Sequence, residues 1–431
     1  MISVRGRTVG IVGARGINNY GGFERMLADL VPRLVQKGYG VRCSCEKPAR
    51  GKPIVDYKGA TLDYFALKPP ANYVLRKAFE LVYDFFFVLK YALVCDVVYV
   101  LGIYGGAALL VPRVLGRDVV VNTDGLEWKR AKYNVVERSI IILYFAVSLN
   151  LATKIVVDNE ELKRFIGAKH HFKISYIPYG VEHQQPQPWD AAKLGHYISE
   201  KQGAGAIKPG KYWLLVSRLE PENNVDLIVK GFVEANPKYP LVVVGDFTSY
   251  RYRNRVREQA SSGSSAAIPF LGAIYDSETL WMLRQHCLAY IHGHSVGGTN
   301  PSLLEAMISK NLIIAHDNSF NREVCDRSAH FFSTSADVSN LVASTEQNPE
   351  GASRLRWNAY ERTAAYSWER AVEGYHKLFK GDNDVARARL ETEARVAQNE
   401  QSSSFSKKSS EILSDLRSAV KERFSETGRG R

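Results

Sequence analysis

The chain has 431 residues, with 57 lysines and arginines against 45 aspartates and glutamates and a formal net charge of +12 at pH 7. Hydrophobic residues make up 45% of it and charged residues 24%, a globular mixture that excludes wholesale disorder. The length predicts two or three domains. The five cysteines form no CxxC pair, which excludes a zinc ribbon and a disulfide scaffold and indicates a reducing cytoplasm.

The positive net charge indicates an anionic partner, for which a nucleic acid, an anionic membrane surface and a phosphorylated small molecule all qualify. The sequence has no zinc finger and no RNA-binding aromatic signature, so a nucleic acid is not expected. Charge that serves solubility alone is the remaining alternative. The first residues lack a long apolar stretch before a small-residue cleavage site, so no secretory signal is expected.

The N-terminal part predicts a strand, a helix and a strand in succession. Thr8–Gly13 is a short apolar run, Phe23–Lys37 carries apolar residues at helical spacing, and Val41–Cys45 is again apolar. This order is the beginning of a parallel, doubly wound sheet. Further buried strands are predicted at Asp96–Leu101, Asp118–Asn122, Lys154–Asp158 and Ile174–Ile177.

The longest apolar stretch, Phe85–Pro112, is interrupted by Lys90 and Asp96 and contains many valines and tyrosines. It therefore predicts buried helix and strand rather than a membrane span. The predicted apolar helix Tyr73–Leu93, which overlaps the beginning of this stretch, suits core packing and a membrane surface equally well.

Two polar stretches, Glu182–Pro188 and Ser199–Gly210, predict an interdomain linker, after which the alternation of strands and helices begins again. Two doubly wound halves would face each other across a cleft, where ligands bind beyond the carboxyl ends of the strands. The second half has predicted strands at Tyr212–Val216, Pro240–Val244, Ala266–Leu271, Leu288–His292 and Leu312–Ala315. Its predicted helices are Asn224–Ala235, Ser277–Gln285 and Pro301–Ser309.

The predicted domains are residues 1–185, residues 186–365, a helix at 366–380 that crosses back to the first domain, and a charged tail at 381–431. Within the tail, Glu411–Phe424 has apolar residues at helical spacing. That segment predicts either a basic amphipathic helix that contacts a membrane or a partner, or a solvated helix.

Glycines lie between the first strand and its helix, in Gly13-Ala14-Arg15-Gly16 and in Tyr20-Gly21-Gly22. They would let the backbone approach a ligand, and the helix N-terminus would offer N–H groups to an anion. A simple tight turn is the alternative. The spacing does not match GxGxxG, so a nicotinamide-dependent oxidoreductase is disfavoured.

A second glycine pair, Gly297-Gly298, precedes the predicted helix that begins at Pro301. This arrangement is a phosphate-binding design, because the helix N-terminus faces the cleft. Glu305, one turn into the helix, could accept both hydroxyls of a ribose, or it could simply complement the helix dipole.

Two further candidates follow strands. Arg218 would grip a diphosphate and stabilise the charge that grows on a leaving group, unless it only forms a salt bridge with Glu220 or Glu222. Asp124 would face the cleft with Trp128 stacking on a sugar or an acceptor, unless Asp124 caps a helix and Trp128 packs in the core.

Together these pieces resemble the GT-B glycosyltransferases of retaining family 4, and in particular a bacterial rhamnosyltransferase-like subgroup whose N-terminal domain has a loop like GTRGIPANYGGFET. The resemblance covers about residues 7–380. The motifs that carry it are GARGINNYGGFER (Gly13–Arg25), NTDGLEWKRAKY (Asn122–Tyr133), YIPYGVE (Tyr176–Glu182), SRLEPENN (Ser217–Asn224), GHSVGGTNPSLLEAM (Gly293–Met307) and YSWERAVEGYHKLF (Tyr366–Phe379).

The resemblance implies an α/β protein of two doubly wound, Rossmann-like domains facing a cleft. It also implies an enzyme that transfers a sugar, with rhamnose as the candidate, from a nucleotide diphosphate to a saccharide or lipid-linked saccharide with retention. Arg218 would bind the diphosphate and Glu305 the ribose, and both count as catalytic with Asp124. The further donor-binding residues would be Gly21, Gly22, Asn223, Ser295, Gly297, Gly298, Thr299 and Asn300, and the acceptor-side residues would be Arg15, Tyr20 and Trp128.

The chain departs from the broader family at two positions. Asn223 stands where the family usually has a lysine five residues after its arginine, and Gly297 stands where it has the first glutamate of a Glu-x7-Glu pair. One positive charge is therefore missing, and we expect Arg15 or backbone N–H groups to supply it.

The implied mechanism is front-face substitution, in which the leaving phosphate deprotonates the acceptor and catalysis rests on positioning and charge stabilisation. No metal and no cofactor is expected, because no DxD-like motif stands in a suitable place. The expected location is the cytoplasm, with possible peripheral contact at the inner face of the cell membrane, where polysaccharide synthesis would supply the acceptor. A catalytically inactive scaffold that binds nucleotide sugars is the alternative function.

Overall fold

The computed structural model describes residues 6–17, 21–48, 53–103, 105–130, 133–197, 207–263 and 267–380. Within these ranges the chain forms two β-sheets, one of eight strands and one of five, with helices packed on both faces of each. The first sheet ends at Tyr176 and the second begins at Trp213. The boundaries proposed for the domains stay predictions.

The first sheet has the strand order β3-β4-β2-β1-β5-β6-β7-β8, and all its neighbours are parallel except β3 and β4. Its central strands are buried runs of valine and isoleucine, as expected for a parallel sheet that is covered on both faces. The strands are β1 (Thr8–Val12), β2 (Gly40–Cys45), β3 (Asp56–Tyr57), β4 (Ala60–Tyr64), β5 (Val97–Leu101), β6 (Asp118–Asn122), β7 (Lys154–Val157) and β8 (Ile174–Tyr176).

Four helices of this domain lie on the two faces of the sheet: α1 (Gly22–Gln36), α2 (Tyr73–Val94), α3 (Leu110–Val114) and α4 (Val135–Leu151). The apolar side of α1 packs against one face. The other three helices form a layer on the opposite face, in which aromatic side chains of α2 and α4 cover the valines of the strands.

The second sheet has the order β10-β9-β11-β12-β13, with all its neighbours parallel. Its strands are β9 (Trp213–Val216), β10 (Leu241–Val244), β11 (Ala289–His292), β12 (Ile313–His316) and β13 (His330–Phe332). Its helices are α5 (Ala191–Leu194), α6 (Val225–Ala235), α7 (Tyr250–Ala260), α8 (Ser277–His286), α9 (Pro301–Ile308), α10 (Ser319–Cys325), α11 (Ser335–Gln347) and α12 (Ser353–Arg362).

The last helix, α13 (Trp368–Lys380), packs on the first domain beside α1. The hydroxyl groups of Tyr375 and Tyr99 are 2.9 Å apart, and the guanidinium of Arg7 donates to the carbonyl of Phe379. The described part of the chain therefore returns to the first domain at its last helix.

The expected fold of two doubly wound, Rossmann-like domains that face a cleft is confirmed. The segment predicted as a strand at Ala266–Leu271 runs along β10 in its described part, where the N–H groups of Leu241 and Val243 donate to the carbonyls of Ala267 and Pro269. It forms a single bridge, between Phe270 and Val243, rather than a full strand, because Pro269 has no N–H group with which to extend the ladder. Among the described residues, no helix is long and apolar enough to cross a membrane. The predicted tail helix at Glu411–Phe424 lies outside the described residues.

Candidate active site

A cavity of about 1080 Å³ lies between the two domains. Its walls come from the loops after β1, β6 and β7 in the first domain and after β9, β10 and β11 in the second. This is the crevice beyond the carboxyl ends of the strands, where open parallel sheets bind their ligands.

The loop before α9 brings backbone to the cavity. Gly297 has φ +142°, in a region that favours glycine, and a Cβ at this position would meet no atom within 4 Å. Asn300 caps the helix by accepting from the N–H of Ser302 at 2.9 Å, and Pro301 has no N–H group. This loop therefore offers an anion the open backbone at Gly297 and the dipole of α9. The N–H groups of the first helical turn contribute less, because one of them is capped and Pro301 has none.

Two arginines from opposite domains line the cavity, and both lie close enough to act on the charge of the same histidine, His294. Arg218, at the end of β9, pairs with Glu220 at 3.2 Å and leaves 46% of its side chain exposed. Arg130, after β6, pairs with Glu127 at 2.7 Å. Burial, together with both guanidinium groups, lowers the pKa of His294 to about 3, so this imidazole is neutral at physiological pH.

Glu305 is held by arginines from both domains. Its carboxylate lies 2.6 Å from the guanidinium of Arg284, which is buried, and 3.9 Å from that of Arg25 on α1. The pair with Arg25 spans the cleft, because α1 belongs to the first domain. A ribose at Glu305 would share the carboxylate with these two cations.

Two carboxylates of the first domain stand on the cleft wall. Burial raises the pKa of Asp124 above its usual value, Glu127 raises it further, and Arg130 and Arg218 act in the opposite direction. Burial also raises the pKa of Asp158 well above its usual range, and the nearby carboxylate of Asp124 raises it further. Asp158 is 2% exposed, and its Oδ1 atom has no hydrogen-bond partner.

Glycines allow the two domains to touch beside these carboxylates. A Cβ on Gly298 would lie 1.9 Å from Oδ1 of Asp158, and a Cβ on Gly125 would lie 2.7 Å from Cα of Gly297. The hydroxyl of Thr299 donates to the carbonyl of Asp158. Side chains at positions 125 and 298 would therefore push the two domains apart where they touch at the base of the cleft.

Most of the residues predicted for the site line this cavity. They are Gly21, Gly22, Asp124, Arg218, Asn223, Ser295, Gly297, Gly298, Thr299, Asn300 and Glu305. Two of them are already engaged with backbone, because Asn223 donates to the carbonyl of Arg218 at 2.7 Å and Ser295 to that of Glu222 at 2.8 Å. Their positions are established, and their roles stay predictions.

Two acceptor-side predictions do not fit the structure. Trp128 is 9% exposed and packs edge-on against Phe145, with ring centroids 4.8 Å apart, so it cannot stack on a sugar. Arg15 lies 5.5 Å over the ring of Tyr83 and faces Glu46 and Glu80 outside the cavity lining. The third acceptor-side prediction, Tyr20, lies outside the described residues.

Residues of the lining that the sequence interpretation missed include Arg25, Arg130, Asp158, Arg284 and His294. The three arginines among them are candidates for the missing positive charge, which was expected from Arg15 or backbone N–H groups. Arg25, Arg130 and His294 all stand inside the motifs quoted above, but no local rule distinguishes them from their neighbours. Their place in the site depends on contacts between distant parts of the chain.

Comparisons with known proteins agree with this architecture. Residues 6–182 match the family model described as domain of unknown function (DUF1972), and residues 198–362 match the one described as glycosyl transferases group 1. No curated protein matches the chain in sequence.

Solved structures share the fold over nearly their whole length. Sucrose-phosphate synthase from Thermosynechococcus elongatus has a TM-score of 0.68 at 15% identity, covering 87% of this chain and 98% of its own. HepE from Anabaena in complex with UDP has 0.61 at 13%, covering 87% and 99%. A UDP-forming α,α-trehalose-phosphate synthase from Burkholderia vietnamiensis has 0.64 at 11%, also covering 87% and 99%. At these identities the likeness establishes the fold.

Proposed function

Since the chain is a glycosyltransferase of the hexosyltransferase type with the GT-B fold, we propose that it is a retaining enzyme of family 4 in cell-surface polysaccharide synthesis. Its donor is a nucleotide diphosphate sugar, and rhamnose is the candidate sugar. Its acceptor is a saccharide or a lipid-linked saccharide. The observation that carries the proposal is the pair of guanidinium groups, Arg218 and Arg130, that reach one cavity from the two domains.

The diphosphate of the donor would lie between these arginines and the open backbone at Gly297. A guanidinium binds a phosphate through two parallel hydrogen bonds and keeps its charge at every physiological pH. When the bond to the sugar breaks, negative charge grows on the leaving diphosphate, and fixed cations stabilise it without reorganisation. UDP bound to HepE supports a nucleotide diphosphate as the kind of ligand.

The ribose of the donor would bind Glu305. The carboxylate is oriented by the buried Arg284 at 2.6 Å, whereas Arg25 at 3.9 Å is a looser partner on the other domain. We expect ribose hydroxyls to replace Arg25, which then becomes available to the phosphates. Binding of the donor would in this way exchange one contact across the cleft for another.

Gly21 and Gly22, at the beginning of α1, would approach the diphosphate of the donor from the first domain, and the acceptor would enter beside them. A Cβ on Gly22 would meet no atom within 4 Å, so the backbone here is open to a ligand. Asp124 faces the same space, where burial raises its pKa and its carboxyl group can exchange a hydrogen bond with a sugar hydroxyl. The leaving phosphate would take the proton of the acceptor hydroxyl.

A thermal-shift titration with a panel of nucleotide sugars tests the donor site. One donor should raise the melting temperature of the wild type, and Glu305→Gln should reduce that shift. Glu278→Ala is the control, since Glu278 pairs with Lys193 at the surface.

Incubation of the enzyme with the donor and an oligosaccharide acceptor should then yield a product with the donor's anomeric configuration. A donor that binds without turnover would instead favour the scaffold.

Metal independence stays a prediction. In the described part of the chain, no three metal-ligating side chains stand together. We expect EDTA to leave turnover unchanged, because arginines carry the charge that a metal ion would otherwise balance. Loss of activity with EDTA and its recovery with Mg²⁺ or Mn²⁺ would contradict this.

A lipid-linked acceptor would bring the enzyme to the inner face of the cell membrane. The proposed location is therefore cytoplasmic, with peripheral attachment. The net charge of +12 favours a surface of anionic lipids.

A further inference from the structure

The layer formed by α2, α3 and α4 has an apolar outer side, which we call the outer face. It is defined by Leu81, Phe85 and Leu93 of α2, Val114 of α3, and Ile140 and Leu143 of α4. Val114 is 77% exposed, Leu93 70% and Leu143 61%. Scattered apolar residues are normal on a protein surface, but a cluster of this kind on adjoining helices indicates a binding surface.

The helix α2 has apolar residues on both of its sides, although charged residues such as Lys90 interrupt them. Tyr83, Phe87 and Tyr91 point inward and pack on the sheet, while Phe85 and Leu93 are exposed on the other side. A helix with large apolar residues on both sides usually has both sides covered. Since the sheet covers one side, the outer side lacks a cover within the described residues.

The opposite side of the same domain has a different surface. Its outer helices, α1 and α13, present charged side chains such as Arg25, Lys37 and Glu373, each between 44% and 47% exposed. The apolar surface is therefore specific to one side of the domain.

Charge complementarity identifies the occupant. The acidic groups of these helices are engaged, because Asp84 is buried, Glu80 pairs with Arg76 and Lys77, and Glu137 belongs to the helix cap of α4. Arg113 is exposed next to Val114. Among the described residues of these helices, an apolar surface with an exposed arginine at its edge and no exposed carboxylate fits an anionic lipid bilayer better than a basic partner.

We propose that the outer face docks on an anionic lipid bilayer, with its apolar side chains at the level of the headgroups and upper acyl chains. The inference rests on the proposed lipid-linked acceptor, which has to be met at such a surface. Helices α2 and α4 both begin on the side of the sheet where β4 and β6 end, which is the edge that faces the cavity. The docked face would thus extend to the rim of the cleft.

Flotation of the full-length protein with vesicles tests the proposal. Wild type should float with vesicles of phosphatidylcholine and phosphatidylglycerol and much less with phosphatidylcholine alone. The double variant Leu93→Glu/Leu143→Glu should reduce binding by about ten-fold or more, since both carboxylates would enter the lipid interface. The matched control is Val55→Glu/Leu67→Glu, at positions 69% and 63% exposed in the same domain but outside the three helices. It should bind like wild type.

Three results would overturn the proposal. The first is a wild type that binds neither kind of vesicle, or an outer-face variant that binds as the control does. The second is a wild-type dimer that the outer-face variant dissociates, without lipid binding, which would make the face an interface between copies. The third is loss of binding in Leu413→Glu/Leu416→Glu with binding retained in the outer-face variant, which would assign the lipid contact to the tail.

Melting temperature and UDP binding, measured without vesicles, verify that each variant folds. Transfer to a water-soluble oligosaccharide tests the proposed function separately. A chain that floats through the outer face but transfers nothing would refute the function and keep the docking surface. A chain that transfers sugar but does not float would keep the proposed function and refute the docking surface.

Discussion

The two walls of the cleft are built differently. In the wall from the second domain, exposed Arg218 and the open backbone at Gly297 stand ready for a ligand, and Glu305 has arginine partners on both sides. In the wall from the first domain, Asp124 and Asp158 are carboxylates whose burial raises their pKa values. The wall from the second domain offers positive charge and open backbone, and the wall from the first domain offers carboxyl groups that exchange hydrogen bonds.

The difference teaches how far a motif determines a site. A glycine-containing loop after a strand brings its backbone to the cleft in either domain. Whether a large side chain in the same loop faces the ligand or the core depends on its neighbours in space. Arg218 faces the cavity, whereas Trp128 turns into the core against α4.

Among the substitutions that distinguish a core residue from a site residue, Trp128→Ala should have the largest effect. Removal of this buried indole should lower the free energy of unfolding by about 3–5 kcal/mol, because a cavity remains beside Phe145. The folded enzyme should keep its turnover within about two-fold, since Trp128 does not line the cavity. Urea denaturation and steady-state kinetics measure the two quantities. Trp128→Phe, which keeps a ring, should lose much less stability, and a variant that stays stable but inactive would restore a role in acceptor binding.

The next effect concerns the two arginines. Arg218→Ala should reduce turnover about 10²-fold or more, which is about 2.7 kcal/mol in the transition state. Arg130→Ala should have an effect of similar size if the diphosphate lies between the walls. Arg322→Ala is the control, because Arg322 pairs with Asp317 at the surface. Turnover near that of wild type in either cavity variant would assign the diphosphate to one wall alone.

The smallest effect is on the pH dependence of stability. The folded-state pKa of Asp158 is raised, so the folded chain binds more protons than the unfolded chain. Stability from this group is therefore fully present below the usual aspartate pKa of about 4 and is lost as pH rises through the folded-state pKa. Asp158→Asn should raise the melting temperature at pH 8 and change it little at pH 4. Equal shifts at both pH values would show that the carboxyl group does not titrate there.

The sequence predicted the fold and the positions of most residues in the wall from the second domain, because glycines, prolines and polar side chains after apolar strands are local signals. It failed for Trp128 and Arg15, whose partners Phe145 and Tyr83 stand 17 and 68 positions further along the chain, beyond the reach of a local motif. The cross-cleft pair of Arg25 and Glu305 joins residues 280 positions apart and left no local trace. Asp158 looked like the end of a buried strand, and its contact with Gly298 follows from how the domains meet.

The return of α13 to the first domain has a consequence for synthesis on the ribosome. Tyr99, on a central strand, meets its partner Tyr375 only after the whole second domain has been translated, and the same holds for Arg7 and Phe379. The last strand of the first sheet ends at Tyr176, roughly 200 residues before Phe379. At typical rates of translation the nascent first domain waits about 10–40 s with this part of its core uncovered. During that interval the uncovered apolar surface of the nascent domain is available to chaperones that bind such surfaces.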